Sequence, residues 1–558
     1  MPGVMPVLPS GGKGRSLPAP KPRTFREALP ALIVAAFVAW GGILFGYDTG
    51  VISGILEMEN FKEQFGTYYE YNIPGNLIGK DNPPQPGWSL STSHRSLVVS
   101  ILSAGTFVGA MASSSMSDFL GRRRGLQFAI IIFTVGVIIQ CVAKAVPLFA
   151  FGRFVAGLGV GAISCVVPLY QSEISPEWIR GALVTCYQWM ITIGLLIASI
   201  VDNSTQHRPN QSSYLIPIAM QFIFAFIIFT GLFILPESPR WYIKKGQREL
   251  AANSLARLNS CLPDSEYVIA EINCIQASLD LELQLGNGGF KEIFEMGERK
   301  IFTRVAVGAI SQALQQLTGI NFIFYYGVTF FKSTGAKNPF IFSIISNVVN
   351  VCSTVPGMWM MERVGRRPLF IYGAVWMFVS QLIVAAVGSA EPISNRPAQA
   401  AAVAFVCIYI AGFAATWGPA TWVYTGETYP LSVRAKGISI STGSQWIWNF
   451  GIGYATPYLV DQGPGKAGLG PHVFFIWAGC CLICILFAYL CINETSGLTL
   501  EEVDELVATV SPRKSNALNK ELKQRRVYSI KEGGSIPDEE QKNELDQEKL
   551  SPVEEKKK

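Results

Sequence analysis

The chain has 558 residues, 49% hydrophobic and 15% charged, with a formal net charge of +5. Ordinary soluble domains carry roughly 25% charged residues, and here 22 of the charged side chains crowd into the last 49 positions, 510–558. The remaining body cannot dress a water-facing surface. This excludes a soluble enzyme, a disordered chain and a collagen, and so modest and scattered a positive charge gives no reason to expect nucleic acid.

Apolar runs such as 128–142, 216–235 and 400–415 approach or reach the roughly 20 residues that cross a hydrocarbon core of about 30 Å. A lipid-facing backbone must satisfy its own hydrogen bonds, so the spans are expected to be helices. In chain order, a Pro/Gly/Lys/Arg-rich segment, 1–29, has no early apolar stretch of the kind that marks a cleaved signal peptide. The first span is expected to serve as the signal. Spans are predicted at 30–56, 94–117, 125–143, 147–170, 181–201, 214–235, 303–332, 338–361, 367–388, 399–424, 435–460 and 471–492. The fold class is an all-α integral membrane protein of twelve spans. Two six-helix bundles, 30–235 and 303–492, flank a polar linker, 236–302, with helical periodicity at 251–258 and 267–285. The tail, 493–558, is expected to be mostly disordered, because its polar content leaves too little to bury.

Lys and Arg gather in the segments that share one side, from Arg26 through Arg122, Arg180, Arg240, Arg366 and Arg434. The positive-inside rule makes that side cytoplasmic and puts both termini there. The sequons at Asn203 and Asn210 then fall in an outer loop, as glycosylation requires. Nine of the eleven cysteines lie in apolar runs and are expected to be packing thiols, including the C-x-x-C of Cys481 and Cys484. The three histidines have no metal-site spacing, and the glycines at 157, 159 and 161 have no preceding strand, so close helix packing is the expectation there.

The chain also repeats itself. Asp118 and Gly121-Arg-Arg after span 2 match Glu362 and Gly365-Arg-Arg after span 8, an offset of 244. Glu173 and Arg180 match Glu427 and Arg434, an offset of 254, and Pro236-Glu237-Ser-Pro-Arg240 has a partial counterpart in Asn493-Glu494-Thr-Ser-Gly. A duplicated six-helix unit points to a transporter with a midplane site between halves that rock. Acidic and basic groups at matching helix ends are expected to lock the halves together. The expected set is Asp118, Arg122, Arg123, Glu173, Arg180, Glu237, Arg240, Glu362, Arg366, Arg367, Glu427 and Arg434. The alternative is that these arginines only orient the chain.

Gly121-Arg-Arg, the run Pro168-Leu-Tyr-Gln-Ser-Glu-Ile-Ser-Pro-Glu-Trp-Ile-Arg-Gly, Pro236-Glu-Ser-Pro-Arg-Trp, Gln315-Gln-Leu-Thr-Gly-Ile-Asn and Gly365-Arg-Arg resemble the sugar porter family of the major facilitator superfamily. Within it the chain looks most like fungal hexose transporters. It departs at Asn493-Glu-Thr-Ser-Gly, where the family has a Pro start. A sugar needs amides, which both donate and accept, and aromatic faces. Gln312, Gln315 and Gln316 share one face of span 7, with Gly319 placed to bend it and Asn321, Tyr325 and Tyr326 following. The resemblance carries the family's sugar ligands onto Gln188, Gln315, Gln316, Asn321, Asn350, Trp422, Gln445 and Asn449. Interhelical amide bonding and simple tryptophan packing are the alternatives, Trp417 being the plainest packing case. Pro419 with Gly418, Gly412 and Gly426 interrupts span 10, which is expected to be a moving gate, the alternative being a static kink.

Asp48 lies inside span 1 and Arg153 opens span 4, and an intramembrane carboxylate is a functional hypothesis by default. Burial favours a neutral carboxyl and a nearby guanidinium a charged one. A cycle that changes their separation would load and release a proton, the role the resemblance implies for this Asp. The alternative is a structural ion pair in a passive hexose carrier, and a sugar sensor that does not transport is a further one. The expectation is a plasma-membrane monosaccharide and proton symporter that works as a monomer and needs no cofactor.

Overall fold

The computed structural model describes residues 25–69, 87–176, 179–285, 291–294, 297, 300–333, 338–391, 395–461 and 465–531. The first span is α1 (Phe25–Ala39) and α2 (Gly41–Ile55), joined at Trp40. Beyond it lie α3 (Glu59–Phe65) and an antiparallel pair, β1 (Thr67–Tyr69) with β2 (Gly87–Ser89), so among the described residues the regular structure is all α-helical and 3-10 but for six strand residues. Then come α4 (Thr92–Leu120), α5 (Arg122–Val142), α6 (Val146–Ile174) and α7 (Arg180–Thr205). The sixth span is broken at Met220 into α8 (Ser212–Ala219) and α9 (Gln221–Gly231).

The linker supplies α10 (Pro239–Lys244), α11 (Arg248–Asn259) and α12 (Glu266–Leu285), which bury Leu255, Val268, Ile272 and Ile275 in a small core of their own. The second half opens with α13 (Ile301–Leu317) and α14 (Ile320–Ser333), followed by α15 (Pro339–Arg363) and α16 (Arg366–Ala390). A broken span follows, α17 (Arg396–Ala415) and α18 (Trp417–Thr428), and α19 (Arg434–Val460) and α20 (Val473–Cys491) complete the bundle.

Among the described residues, ten of these spans are long and apolar enough to cross a membrane by composition. The other two are α13–α14, interrupted at Thr318 and Gly319, and α19, which carries Ser439, Ser441, Ser444, Gln445 and Asn449. Both pack inside the assembly, where polar groups are tolerated if they face partners or a cavity. The two least apolar spans are therefore the ones that carry most of the predicted ligands.

The duplication is also structural. Gly121 and Gly365 start α5 and α16 with φ of +90° and +96°, a conformation that costs a non-glycine residue roughly 1–2 kcal/mol. A side chain at either would also run into a carboxylate, of Glu237 at the first and of Glu494 at the second. At Gly157 and Gly161 a Cβ would lie 2.3 and 2.1 Å from carbonyls of α4, so these glycines do serve close helix packing. All eleven cysteines are free thiols. The halves meet along α4 with α19, α7 with α15, and α2 with α14.

The tail departs from expectation. Leu500–Thr509 forms α21, closed by a capping box of Thr499 and Glu502, and Ser515–Lys531 forms α22. Leu498, Val503, Leu506 and Leu522 bury one another, and Asn519 donates to the carbonyls of Glu494 and Ser496, 3.1 Å each. A segment with little apolar content folds here because its few apolar residues are gathered into one small core and it also docks on the bundle. Residues 1–24 and 532–558 lie outside those described.

Candidate functional site

At mid-depth the two halves enclose a set of amides. Nε2 of Gln315 donates to the carbonyls of Trp417 (3.1 Å) and Gly418 (2.9 Å) and to Thr421 (2.5 Å), which ties α13 to the break before α18. Gln316 donates to Gln315 (3.0 Å) and its oxygen receives Asn449 (3.0 Å) and Asn321. The oxygen of Asn449 accepts from Ser103 of the first half (2.6 Å) and from Tyr325 (2.8 Å). The ring of Trp422 meets Tyr187 of the first half edge-on at 5.4 Å, and Nε2 of Gln188 approaches Gly418. Trp417 donates to the Phe370 carbonyl at 2.8 Å and is packed, as is Trp446, whose indole reaches Ser164 at 3.2 Å.

All eight residues implied by the resemblance are thus buried, and Gln188, Gln315, Gln316, Asn321, Trp422 and Asn449 are drawn together by these contacts. Around them, polar atoms are buried without a hydrogen-bond partner among the described residues: both ends of Gln312, both ends of Asn350 and the oxygen of Gln445. A buried amide group left unpaired costs on the order of 1–3 kcal/mol. Gln312 and Gln445 stand one helical turn from Gln316 and Asn449 on α13 and α19, and open amide positions there fit a hydroxylated ligand that supplies donors and acceptors together.

Deeper in the first half, Asp48 and Arg153 face each other at 3.6 Å with 0% and 1% of their side chains exposed. Neither carboxyl oxygen has a hydrogen bond among the described residues. Gln221, at the start of α9 beside this carboxyl, has both of its polar atoms unpartnered as well. Asp202, buried against Gly54 near the end of α7, is a second intramembrane carboxylate. Sequence reasoning missed both. Asp202 fell one residue beyond the predicted end of span 5, whereas α7 runs four residues further.

At the Arg-rich end, Arg122 grips Glu173 with two bonds of 2.9 and 2.7 Å, and Arg366 grips Glu427 with two of 3.2 and 2.8 Å. Glu237 accepts from the backbone N–H of Arg122, Arg123 and Ser238, and burial pushes its carboxyl above the usual range despite these donors. Glu494 does the same for Arg366 and Arg367. Glu494 was absent from the expected lock, although the partial repeat at 493–497 pointed to it. Asp118 takes Lys244 at 3.1 Å and Arg122 at 3.6 Å. Arg180, Arg240 and Arg434 are buried at the heads of α7, α10 and α19.

The expectation that Arg122 and Arg366 reach across the halves needs correcting. Their carboxylate partners belong to their own halves, because α4–α5–α6 and α15–α16–α18 each close around one arginine. Among the described residues the contacts that cross the seam at this end include Glu362, which accepts from the Ala182 N–H at 2.9 Å, the Arg366 guanidinium, which lies against Gly181 of α7, and Ser439, which donates to the Ala110 carbonyl at 2.6 Å. The opposite end is closed too. Asp461 receives Thr92 (3.2 Å) and faces Arg95 (3.7 Å), Glu57 receives Thr329 (2.8 Å), and Asn347 donates to Ser199 (2.6 Å). The structure is therefore a closed form, shut at both faces.

Twelve spans in two duplicated bundles around an enclosed amide cluster define a multi-pass membrane transporter of the major facilitator fold. Residues 34–507 match the family described as "Sugar (and other) transporter". The chain is 47% identical over 87% of its length to a major facilitator-type transporter of Aspergillus rugulosus, covering 89% of that protein. It is 44% identical over 87% of its length to a probable glucose transporter of Neurospora crassa, covering 80% of it. It is also 40% identical over 87% of its length to a high glucose sensor of Saccharomyces cerevisiae, but covers only 62% of that longer protein. Among solved structures, the proton:xylose symporter XylE bound to 6-bromo-6-deoxy-D-glucose superposes with a TM-score of 0.72. That match has 26% identity and covers 86% of this chain and 99% of that one. The chain belongs to the sugar transporter family, whose members move solutes rather than catalyse reactions.

Proposed function

We propose that the protein takes up a monosaccharide, in the first place a hexose such as glucose, by alternating access in symport with a proton. It works as a monomer in the plasma membrane, with the Arg-rich end, both termini and the linker on the cytoplasmic side. The observation that carries the sugar reading is the bonded set of Gln315, Gln316 and Asn449 with unpartnered amide atoms on Gln312 and Gln445 one helical turn away, and a further unpartnered amide on Asn350 of α15. Sugar hydroxyls would fill the open positions and compete for the bonded ones, with Trp422 offering an apolar face to the ring.

Proton coupling draws support from the Asp48–Arg153 pair, which is buried, 3.6 Å apart and without further hydrogen bonds to the carboxyl among the described residues. A proton on Asp48 weakens its hold on Arg153 and leaves that guanidinium buried without its counter-charge, so loading favours a rearrangement of α2 against α6 in which Arg153 finds water or another partner. In each position of the cycle one face is held by its own contacts, Glu362 with Ala182 inside and Asp461 with Thr92 and Arg95 outside. A second reading, a sensor that keeps the fold without transport, is favoured by the sensor relative and weakened by that protein's greater length.

The experiment is uptake of a panel of labelled sugars in cells lacking their own hexose carriers, with the pH of an unbuffered medium recorded. Hexose uptake with alkalinisation is expected, and Asp48→Asn should abolish accumulation while sparing exchange. Uptake without proton movement would replace the symporter with a passive carrier. A surface-expressed protein that moves no sugar would leave the sensor.

A further inference from the structure

Toward the outer end of the seam between the halves lies a cleft that the amide cluster does not include. Gly50 of α2 and Ser199 of α7 line one wall, and Phe324 of α14 with Ser343, Ser346 and Asn347 of α15 line the other. Asn347 is 5% exposed and its amide nitrogen donates across the seam to Ser199, at 2.6 Å. Ser199 in turn donates to the Leu195 carbonyl at 3.0 Å. The oxygen of Asn347 is buried and has no partner among the described residues. Asn347 and Ser346 stand about one helical turn outward of Asn350 on the same helix.

We infer that this cleft is an outer waiting site for the transported monosaccharide, with Asn347 as its principal ligand. The inference rests on the sugar-transport reading and adds a station to it. An amide oxygen seeking a donor, three serine hydroxyls and a phenylalanine ring are what a polyhydroxylated ring with apolar C–H faces requires. The Asn347 oxygen faces this cleft without a protein partner among the described residues, so a hydroxyl entering the cleft finds an acceptor there. In the closed form the enclosed space suits about one water molecule, too little for a hexose. Its walls belong to different halves, so the cleft widens when the outer side opens. Opening breaks the Asn347–Ser199 bond and frees both ends of the amide. A sugar held there is one turn from Asn350 and passes inward as the halves close behind it.

The test uses the full-length protein in intact cells. Ser343→Cys is labelled from outside with a membrane-impermeant thiol reagent, against the same chain without that cysteine, with and without the hexose that the uptake panel identifies. The same measurement is repeated with Gln315→Ala and Gln316→Ala added to disable the central cluster. The hexose is expected to slow labelling at least about threefold in both backgrounds, and a non-transported sugar alcohol to have no effect. Protection that vanishes when the central cluster is disabled would overturn the waiting site, as would a cysteine that the reagent never reaches. As a second reading, Asn347→Val should raise the KM for uptake several-fold with little change in the maximal rate, and an unchanged KM counts against it. Absence of hexose uptake by the unmodified chain defeats the functional reading itself. Uptake with no protection defeats only the waiting site.

Discussion

Asn203 and Asn210 carry the same sequon, yet their surroundings differ. Asn203 sits half-buried on the last turn of α7, where its side-chain oxygen receives Gln206 at 3.0 Å. Asn210 is exposed on the turn that leads into α8. A modifying enzyme must reach the acceptor amide, so Asn210→Gln is expected to remove the glycan-dependent shift on a gel while Asn203→Gln leaves it. The reverse result would exchange their roles, and no shift in the native protein would remove glycosylation from the proposal. The same contrast holds for the amides inside. Gln312, Gln315 and Gln316 were legible because their spacing puts them on one helical face, whereas Asn347 looked like any polar residue near a helix end. Its importance comes from Ser199, 148 positions away, and no local pattern reports that distance.

The interruptions are the informative elements. The bend in span 7 was expected at Gly319 and is there, with φ of +85°. A Cβ at that position would also lie 2.5 Å from the indole of Trp477, so a side chain meets both backbone strain and a rigid ring. Gly319→Ala is expected to cost more than the roughly 1–2 kcal/mol of the backbone conformation alone, and to reduce surface protein and uptake by more than half, as read by a fluorescent fusion and a transport assay. Normal uptake would show that the bend is dispensable. In span 10 the break falls at Thr416, whose φ and ψ are −130° and −87°, so Pro419 lies in the first turn of α18, where a missing N–H costs little. Gly418 and Pro419 therefore mark the start of a new helix and not a kink in a continuous one. The sequence located the interruption to within a few residues, and a helix broken here gives a joint about which α18 could turn as a gate. The breaks at Trp40, next to Gly41 and Gly42, and at Met220, three residues after Pro217, were not foreseen.

Across the whole molecule, closure at the two faces is a balance of a few inter-half contacts. Asp461 gathers Thr92, Arg95 and Lys466 at the outer end, the last two at 3.7 Å. Asp461→Asn should weaken this clasp and favour the outward-open form, and an externally applied impermeant reagent should label a seam cysteine such as Ser343→Cys several-fold faster. Unchanged or slower labelling would mean that the clasp does not hold the outer face. The number of spans, their duplication, the amide-bearing helix, the Asp48–Arg153 pairing and the family were all readable from the sequence alone. Each is written in local periodicity, in repeated motifs or in the cost of a charge inside a membrane. Only the tertiary structure decided that Arg122 and Arg366 close on their own halves, that Glu362 and Asp461 do the bridging, and that the polar tail folds by docking. Those outcomes depend on which surfaces meet between residues as far apart as the 369 positions from Thr92 to Asp461, and composition along the chain does not encode that meeting.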